Sequence, residues 1–256
     1  MVKNLIQNLI CLIFPSMLKI RILRFFGHKI SAHASIGIVF LGKNCLLSLE
    51  SGASVGHFNI ISCSSLQLSQ GAWVGSFNTF RGCFCVRISD KASLGNFNNF
   101  VNGGARLVSQ EKLFSLGSYS NVTSRHYFDL TDDIKIGSQT VIGGIRSQFW
   151  THGFKHFDMG TTRNRIDAAI KIGNGVYVGS GVIVNPGVSV VDEASIGAGA
   201  VVSKSITENH LYVSQPLRPI DQGENEFYCH HININIDNEL LVGKLFRKSN
   251  FDCEDD

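Results

Sequence analysis

Proline is scarce in this chain of 256 residues, with only 4, and charge is sparse: 17% of residues are Asp, Glu, Lys or Arg, and the formal net charge is +3. So small a charge, with no Lys/Arg-rich block in the body of the sequence, argues against a nucleic-acid partner. A long clean hydrophobic run is missing too. Residues 5–26 are apolar, but Gln7, Asn8, Pro15, Ser16, Lys19, Arg21 and Arg24 interrupt them. The longest uninterrupted stretch, from Leu9 to Pro15, falls far short of the roughly 20 residues of a membrane span. A secretory signal would carry its basic residues before the apolar run; here they follow it. The 7 cysteines, at 11, 45, 63, 83, 85, 229 and 253, are odd in number. Their spacing fits neither a zinc site nor a disulfide framework. They read as buried or half-buried free thiols of a cytoplasmic protein.

What the chain does have is glycine, 26 residues of it, spread through short apolar segments, and a hydrophobic share of 44% that supports a sizeable core. Residues 1–29 read as a helical cap. Two placements stay open for it: packed on the body of the protein or a neighbouring subunit, or lying peripherally on the inner face of a membrane through residues 1–26. Its basic residues do not gather cleanly on one helical face, which favours packing.

From about residue 30 the sequence repeats. Val55-Gly56-His57-Phe58-Asn59 is echoed by Val74-Gly75-Ser76-Phe77-Asn78 and Leu94-Gly95-Asn96-Phe97-Asn98. Leu116-Gly117-Ser118-Tyr119 and Ile136-Gly137-Ser138-Gln139 extend the series. This alignment predicts one inward column of Val55, Val74, Leu94, Leu116 and Ile136, with Phe58, Phe77, Phe97 and Tyr119 in a second shared register. Asn59, Asn78 and Asn98 would form a third, and stacked Asn and aromatic residues stabilise parallel arrays. Further on, Ile172, Val178, Val184, Val190, Ile196 and Val202 recur every sixth residue. Three such hexads make a triangular coil, and glycine suits its tight corners. A period of six with Val, Ile, Phe and Ser is not helical. The fold predicted is all-β: a left-handed parallel β-helix over 30–206, with a loop insertion at 153–169 and a C-terminal extension over 207–256. Coils of 19 to 22 residues would also suit a right-handed form, but the strict 18-residue end argues for the left-handed one.

Residues 134–219 resemble the hexapeptide-repeat acetyltransferases, among them maltose, galactoside and polysaccharide O-acetyltransferases. The matching text is Ile134-Lys-Ile-Gly, Thr151-His152-Gly153, Ile170-Lys-Ile-Gly, Val178-Gly-Ser-Gly-Val-Ile-Val-Asn-Pro-Gly187 and Ile196-Gly-Ala-Gly-Ala-Val-Val-Ser-Lys204. The resemblance implies a homotrimer that moves an acetyl group from acetyl-CoA to a hydroxyl of a saccharide or lipid-linked saccharide. It makes His152, which stands before the loop, the general base, although Gly153 replaces the family's Pro. A neutral imidazole can take the hydroxyl proton and return it to the leaving thiolate. Ser180 matches an oxyanion donor. Ala198, Ser203, Lys204 and Arg218 match coenzyme A contacts, Arg218 within an altered ending. Asn121, or Thr123 in strict register, falls near the acceptor site with Trp150. The insertion 153–169 carries Lys155, Arg163, Asn164 and Arg165, of which Arg163 and Arg165 are candidate acceptor contacts, because long insertions in compact solenoids are usually functional.

Two other functions stay open. A metal-dependent hydratase of the carbonic anhydrase type needs three converging histidines; His126, His152 and His156 are candidates, but their spacing does not obviously converge, so no metal is expected. A non-catalytic scaffold is the third reading. An N-acetyltransferase on an amino sugar is a close variant of the first; with no acidic partner for an ammonium evident, a hydroxyl acceptor is favoured.

Overall fold

A computed structural model of the chain describes residues 2–102, 111–156 and 163–214. The hexads form a parallel β-solenoid of about eight turns behind two N-terminal helices. Its strands assemble into three parallel sheets of 8, 9 and 8 strands, one for each face of the prism. On the first face Ile30, Leu49, Leu68, Ile88, Leu116, Ile136, Ile172 and Val190 stack inward. On the second face the inward column is Ile36, Val55, Val74, Leu94, Val122, Ile142, Val178 and Ile196. The third face stacks Leu41, Ile61, Phe80, Phe100, Phe128, Phe149, Val184 and Val202. Each strand is too short to stand alone; the coils above and below hold it.

The expected column of Val55, Val74, Leu94, Leu116 and Ile136 is therefore corrected. The first three share the second face, but Leu116 and Ile136 lie on the first, and Leu94 pairs with Val122. Hexads look alike on all three faces, and the coil containing residues 103–110 is longer than its neighbours. Counting one ordinary coil on from Leu94 thus stops one face early. Tyr119 slips in the same way. Phe58, Phe77 and Phe97 stack with centroids 5.2 and 4.9 Å apart, and Arg125, not Tyr119, covers the next position, its guanidinium 5.3 Å from the Phe97 ring.

The glycines that follow the inward residues serve close approach rather than positive φ. A Cβ on Gly56 would lie 2.7 Å from the Gly75 carbonyl oxygen of the next coil. The left-handed corner position falls two residues later and is held by Phe58, Phe77 and Phe97, with φ of 59°, 61° and 58°.

Inside that corner the Asn ladder forms as expected. Asn59 Nδ2 donates to the Gly75 carbonyl, the Asn78 amide donates to Asn59 Oδ1, and the Asn98 amide donates to Asn78 Oδ1. The interior of the third face is a second aromatic ladder, Phe80, Phe100, Phe128 and Phe149, with centroids 4.6 to 4.8 Å apart. Burying one such ring is worth about 1.5–3 kcal/mol. Among the described cysteines, Cys11, Cys45 and Cys63 are buried free thiols, Cys85 is half-buried and Cys83 is exposed.

The cap is two helices, α1 (Val2–Ile13) and α2 (Ser16–Phe25), not one. Pro15 divides them: it has no N–H to continue α1, and its φ of −65° suits the N-cap of α2. The insertion expected as a loop has paired stems: His152–His156 runs antiparallel to Arg163–Asp167, and His152 faces Asp167. The C-terminal extension from residue 215 on, where residues 237–248 are expected to form a short helix, lies outside the described residues.

Candidate active site

His152 stands where the third face ends and the hairpin leaves the solenoid. Its ring is held from below. Phe128 and Phe149 stack inward on the third face. The residue after Phe128 is Asp129, and its carboxylate, only 1% exposed, turns to the corner beside the hairpin root. Asp129 Oδ2 lies 2.7 Å from His152 Nδ1. Two further donors fix that carboxylate, Thr131 Oγ1 at 2.8 Å on Oδ1 and the Thr151 amide at 3.0 Å on Oδ2, while the Thr151 hydroxyl donates to the Asp129 backbone carbonyl at 2.7 Å. Thr151 is itself buried and accepts the Asp132 amide at 2.8 Å. A carboxylate can only accept, so Nδ1 carries the hydrogen and Nε2 keeps its lone pair. The His152 side chain is 22% exposed, enough for a substrate proton to reach it. Trp150 and Phe154 meet its ring edge-on, at 6.1 and 5.8 Å between centroids.

Asp129 was not among the residues singled out from sequence. It lies outside the stretch that carried the resemblance. The signal that finds it is register: one coil back from the Phe149–His152 segment stands Phe128, and Asp129 follows it.

Of the other candidates, the fold brings Trp150 to His152. Trp150 packs at a tilt against Tyr127, with ring centroids 4.9 Å apart, and its indole N–H donates to Gln148 Oε1. Arg165 lies on the hairpin, where its guanidinium donates to Asp167 Oδ2 at 2.7 and 3.1 Å. Arg163 pairs with His156 through the backbone; the side chains of both are outside the described residues, as is all of Arg218. Ser203 and Lys204 are exposed and follow the last strand of the third face, at the same corner as His152 and two coils further on. Ser180 and Ala198 lie at the opposite end of that face, where it joins the second. There Ser180 Oγ donates to the Ile145 carbonyl and accepts the Ile145 amide, at 2.8 and 3.0 Å. Asn121 opens a strand of the second face, away from His152. Within one chain, then, His152, Trp150 and Arg165 share one corner region with Ser203 and Lys204, while Ser180, Ala198 and Asn121 do not.

His126 is used for something else. It is fully buried and continues the Asn ladder: its amide donates to Asn98 Oδ1, and its Nδ1 accepts the Ser147 amide at 3.1 Å. Nε2 therefore carries the hydrogen and donates to Thr123 Oγ1 at 2.9 Å, whose own proton goes to the Gly144 carbonyl at 2.6 Å. Burial lowers its pKa from 6.5 to about 4, so it stays neutral. Both ring nitrogens are spent inside the solenoid, and His126 is not free to converge with His152 and His156 on a metal. Among the described residues, no three His, Cys, Asp or Glu groups lie close enough together to hold one.

No protein-family model matches the sequence, and no curated protein matches it. Solved structures do. A maltose O-acetyltransferase from Clostridium difficile 630 is similar at 26% identity, over 51% of this chain and 67% of that one, with a TM-score of 0.39. The polySia specific acetyltransferase NeuO is similar at 20% identity, over 76% and 93%, with a TM-score of 0.46. AntD, an N-acyltransferase from Bacillus cereus, is similar at 18% identity, over 78% and 87%, with a TM-score of 0.42. At low identity, the chain is similar in structure to hexapeptide-repeat β-helix acyltransferases.

Proposed function

We propose that this protein is an acetyl-CoA-dependent O-acetyltransferase acting on a saccharide hydroxyl, with His152 as general base. The observation that carries the reading is the 2.7 Å contact between His152 Nδ1 and the buried carboxylate of Asp129. A sugar hydroxyl is a weak nucleophile near neutral pH. As its oxygen attacks the thioester carbonyl, Nε2 of His152 takes its proton. Asp129 steadies the imidazolium that forms and keeps the ring in one tautomer. When the carbon–sulfur bond breaks, Nε2 returns the proton to the sulfur, leaving an acetate ester and free coenzyme A. No covalent acyl-enzyme is needed.

A hydroxyl acceptor fits this site because the neighbouring carboxylates already carry partners. Asp132 pairs with Lys112 at 2.9 Å, Asp133 with Lys135 at 3.4 Å and Asp167 with Arg165 at 2.7 Å. A substrate ammonium would have to displace one of these cations. Trp150, Arg163 and Arg165 line the acceptor side in this reading.

The separation of Ser180 and Ala198 from His152 is consistent with a homotrimer, in which a neighbouring subunit supplies one set of residues to the other. Ser180 would give the oxyanion donor; Ala198, Ser203, Lys204 and Arg218 would hold coenzyme A. Exposed Phe154 and Ile166 on the hairpin offer an apolar surface for that neighbour. The test is acetyl transfer from acetyl-CoA to a panel of free, polymeric and nucleotide-linked saccharides, with light scattering on the same sample. Transfer to hydroxyl acceptors by a trimer is expected. Transfer only to amino sugars, or full activity from a monomer, would contradict the reading.

A further inference from the structure

The first helix turns polar residues inward beside Ile10 and Cys11, and the second buries Lys19 together with Ile20 and Leu23. The first coil of a solenoid exposes unpaired backbone groups, and α1 and α2 meet them with polar side chains. Asn8 donates to the Leu41 carbonyl at 3.1 Å and accepts the Leu41 amide at 2.7 Å. Gln7 Nε2 lies 2.9 Å from His28 Nε2. The buried Lys19 ammonium donates to the carbonyls of Ile36 and Gly37, and Ser16 accepts the Ile36 amide.

With its polar side turned inward, α1 shows solvent Leu5, Ile6, Leu9, Leu12 and Ile13. At helical spacing these five share one face. The next helix adds Met17, Leu18 and Phe25, of which Met17 is 75% and Phe25 91% exposed. On α1 that outward face is made almost wholly of large aliphatic side chains, and on α2 Arg21 and Arg24 share it with Met17, Leu18 and Phe25; an exposed apolar face of this kind marks an interaction surface. The charged residues before Glu50 are all basic. Lys3, Arg21, Arg24, Lys29 and Lys43 are exposed, and the first acidic residue of the sequence is Glu50.

We propose that the α1–α2 cap lies in the surface of an anionic membrane, its exposed leucines, Met17 and Phe25 in the acyl boundary and Arg21, Arg24 and Lys3 among the headgroup phosphates. Neither helix is long and apolar enough to cross a bilayer, so the contact is interfacial. A second copy of the chain docked face to face would set two groups of basic residues against each other; an anionic lipid surface neutralises one. The proposal does not depend on the chemistry assigned to His152 and is tested without an activity assay.

The experiment is sedimentation of the full-length protein with vesicles of mixed phosphatidylglycerol and phosphatidylcholine, and with vesicles of phosphatidylcholine alone. Binding to the anionic vesicles that weakens with added salt is expected. The double change Arg21→Glu and Arg24→Glu should cut partitioning on the order of 10-fold or more. Leu9→Asp with Met17→Asp should cut it at least as far, with an unchanged melting temperature, because both positions are exposed. Equal binding to neutral and anionic vesicles, wild-type protein left in the supernatant, or variants that bind as the wild type does would each overturn the proposal. So would loss of a higher oligomer in Leu9→Asp without any vesicle binding, which would assign the face to a second copy.

Discussion

His126 and His152 stand at opposite ends of the same face, one coil apart, and the fold makes opposite uses of them. At the corner shared by the second and third faces, His126 inherits the place of Asn98 in an internal ladder. Its Nδ1 accepts a backbone hydrogen and its Nε2 gives one away. At the corner shared by the third and first faces, His152 meets a buried carboxylate on Nδ1 and keeps Nε2 for solvent. The two imidazoles hold opposite tautomers. Residue type alone would make either a candidate base; the proposal for His152 rests on the ring nitrogen that the fold leaves unspent there.

The comparison can be broken by swapping what each ring does. The largest effect expected is on His152→Ala, a loss of acetyl transfer on the order of 10²–10⁴-fold. Coenzyme A binding measured by calorimetry should survive, because the proposed contacts lie on later coils. If His156→Ala abolishes transfer and His152→Ala does not, the wrong imidazole has been chosen. Asp129→Asn comes next. An amide can donate to Nδ1 and so favour the wrong tautomer; turnover should fall by about 10² or more with little change in the Michaelis constant for acetyl-CoA. Combined with His152→Ala, it should add almost nothing, since the two act as one unit.

His126→Asn should leave turnover near wild type and alter stability instead. Between pH 6.5 and about 4 the unfolded chain binds a proton at His126 that the folded chain refuses. The sign follows: stability is full above pH 6.5 and falls as the pH drops toward 4, by about 3 kcal/mol in all. Asparagine continues the ladder without titrating, so the variant should melt with a flatter pH dependence. Some dependence should remain, because burial and the charge of Lys3 lower the pKa of His28 as well. Acid melting curves that do not change in His126→Asn would contradict this. The smallest effect is expected for Lys204→Ala, a several-fold rise in the Michaelis constant for acetyl-CoA with turnover nearly kept.

The period of six was legible because one inward residue per face is all a coil needs, and the chain writes that residue as Val, Ile, Leu or Phe throughout. Register was not legible across residues 103–110, since nothing in a hexad says which face it belongs to. Leu116 and Tyr119 were misplaced by one face for that reason. His126 could not be seen as the heir of Asn98, because the longer coil puts 28 positions between them. The candidate base was named through Thr151-His152, but its partner was not legible: Asp129 reaches His152 only when Phe128 and Phe149 stack. The inward polar side of the cap was hidden too, since a helix read alone gives no sign that backbone edges will claim Asn8 of α1 and Lys19 of α2.

The central claim, that the fold leaves Nε2 of His152 free as a base and spends both nitrogens of His126, is read most directly from imidazole tautomers. Long-range proton–nitrogen NMR correlations on the nitrogen-labelled protein near pH 7 assign them without any acceptor in hand. The account predicts a hydrogen on Nδ1 of His152 and on Nε2 of His126, with Asp129→Asn shifting only the first. A hydrogen on Nε2 of His152, with a bare Nδ1 beside Asp129, would contradict it.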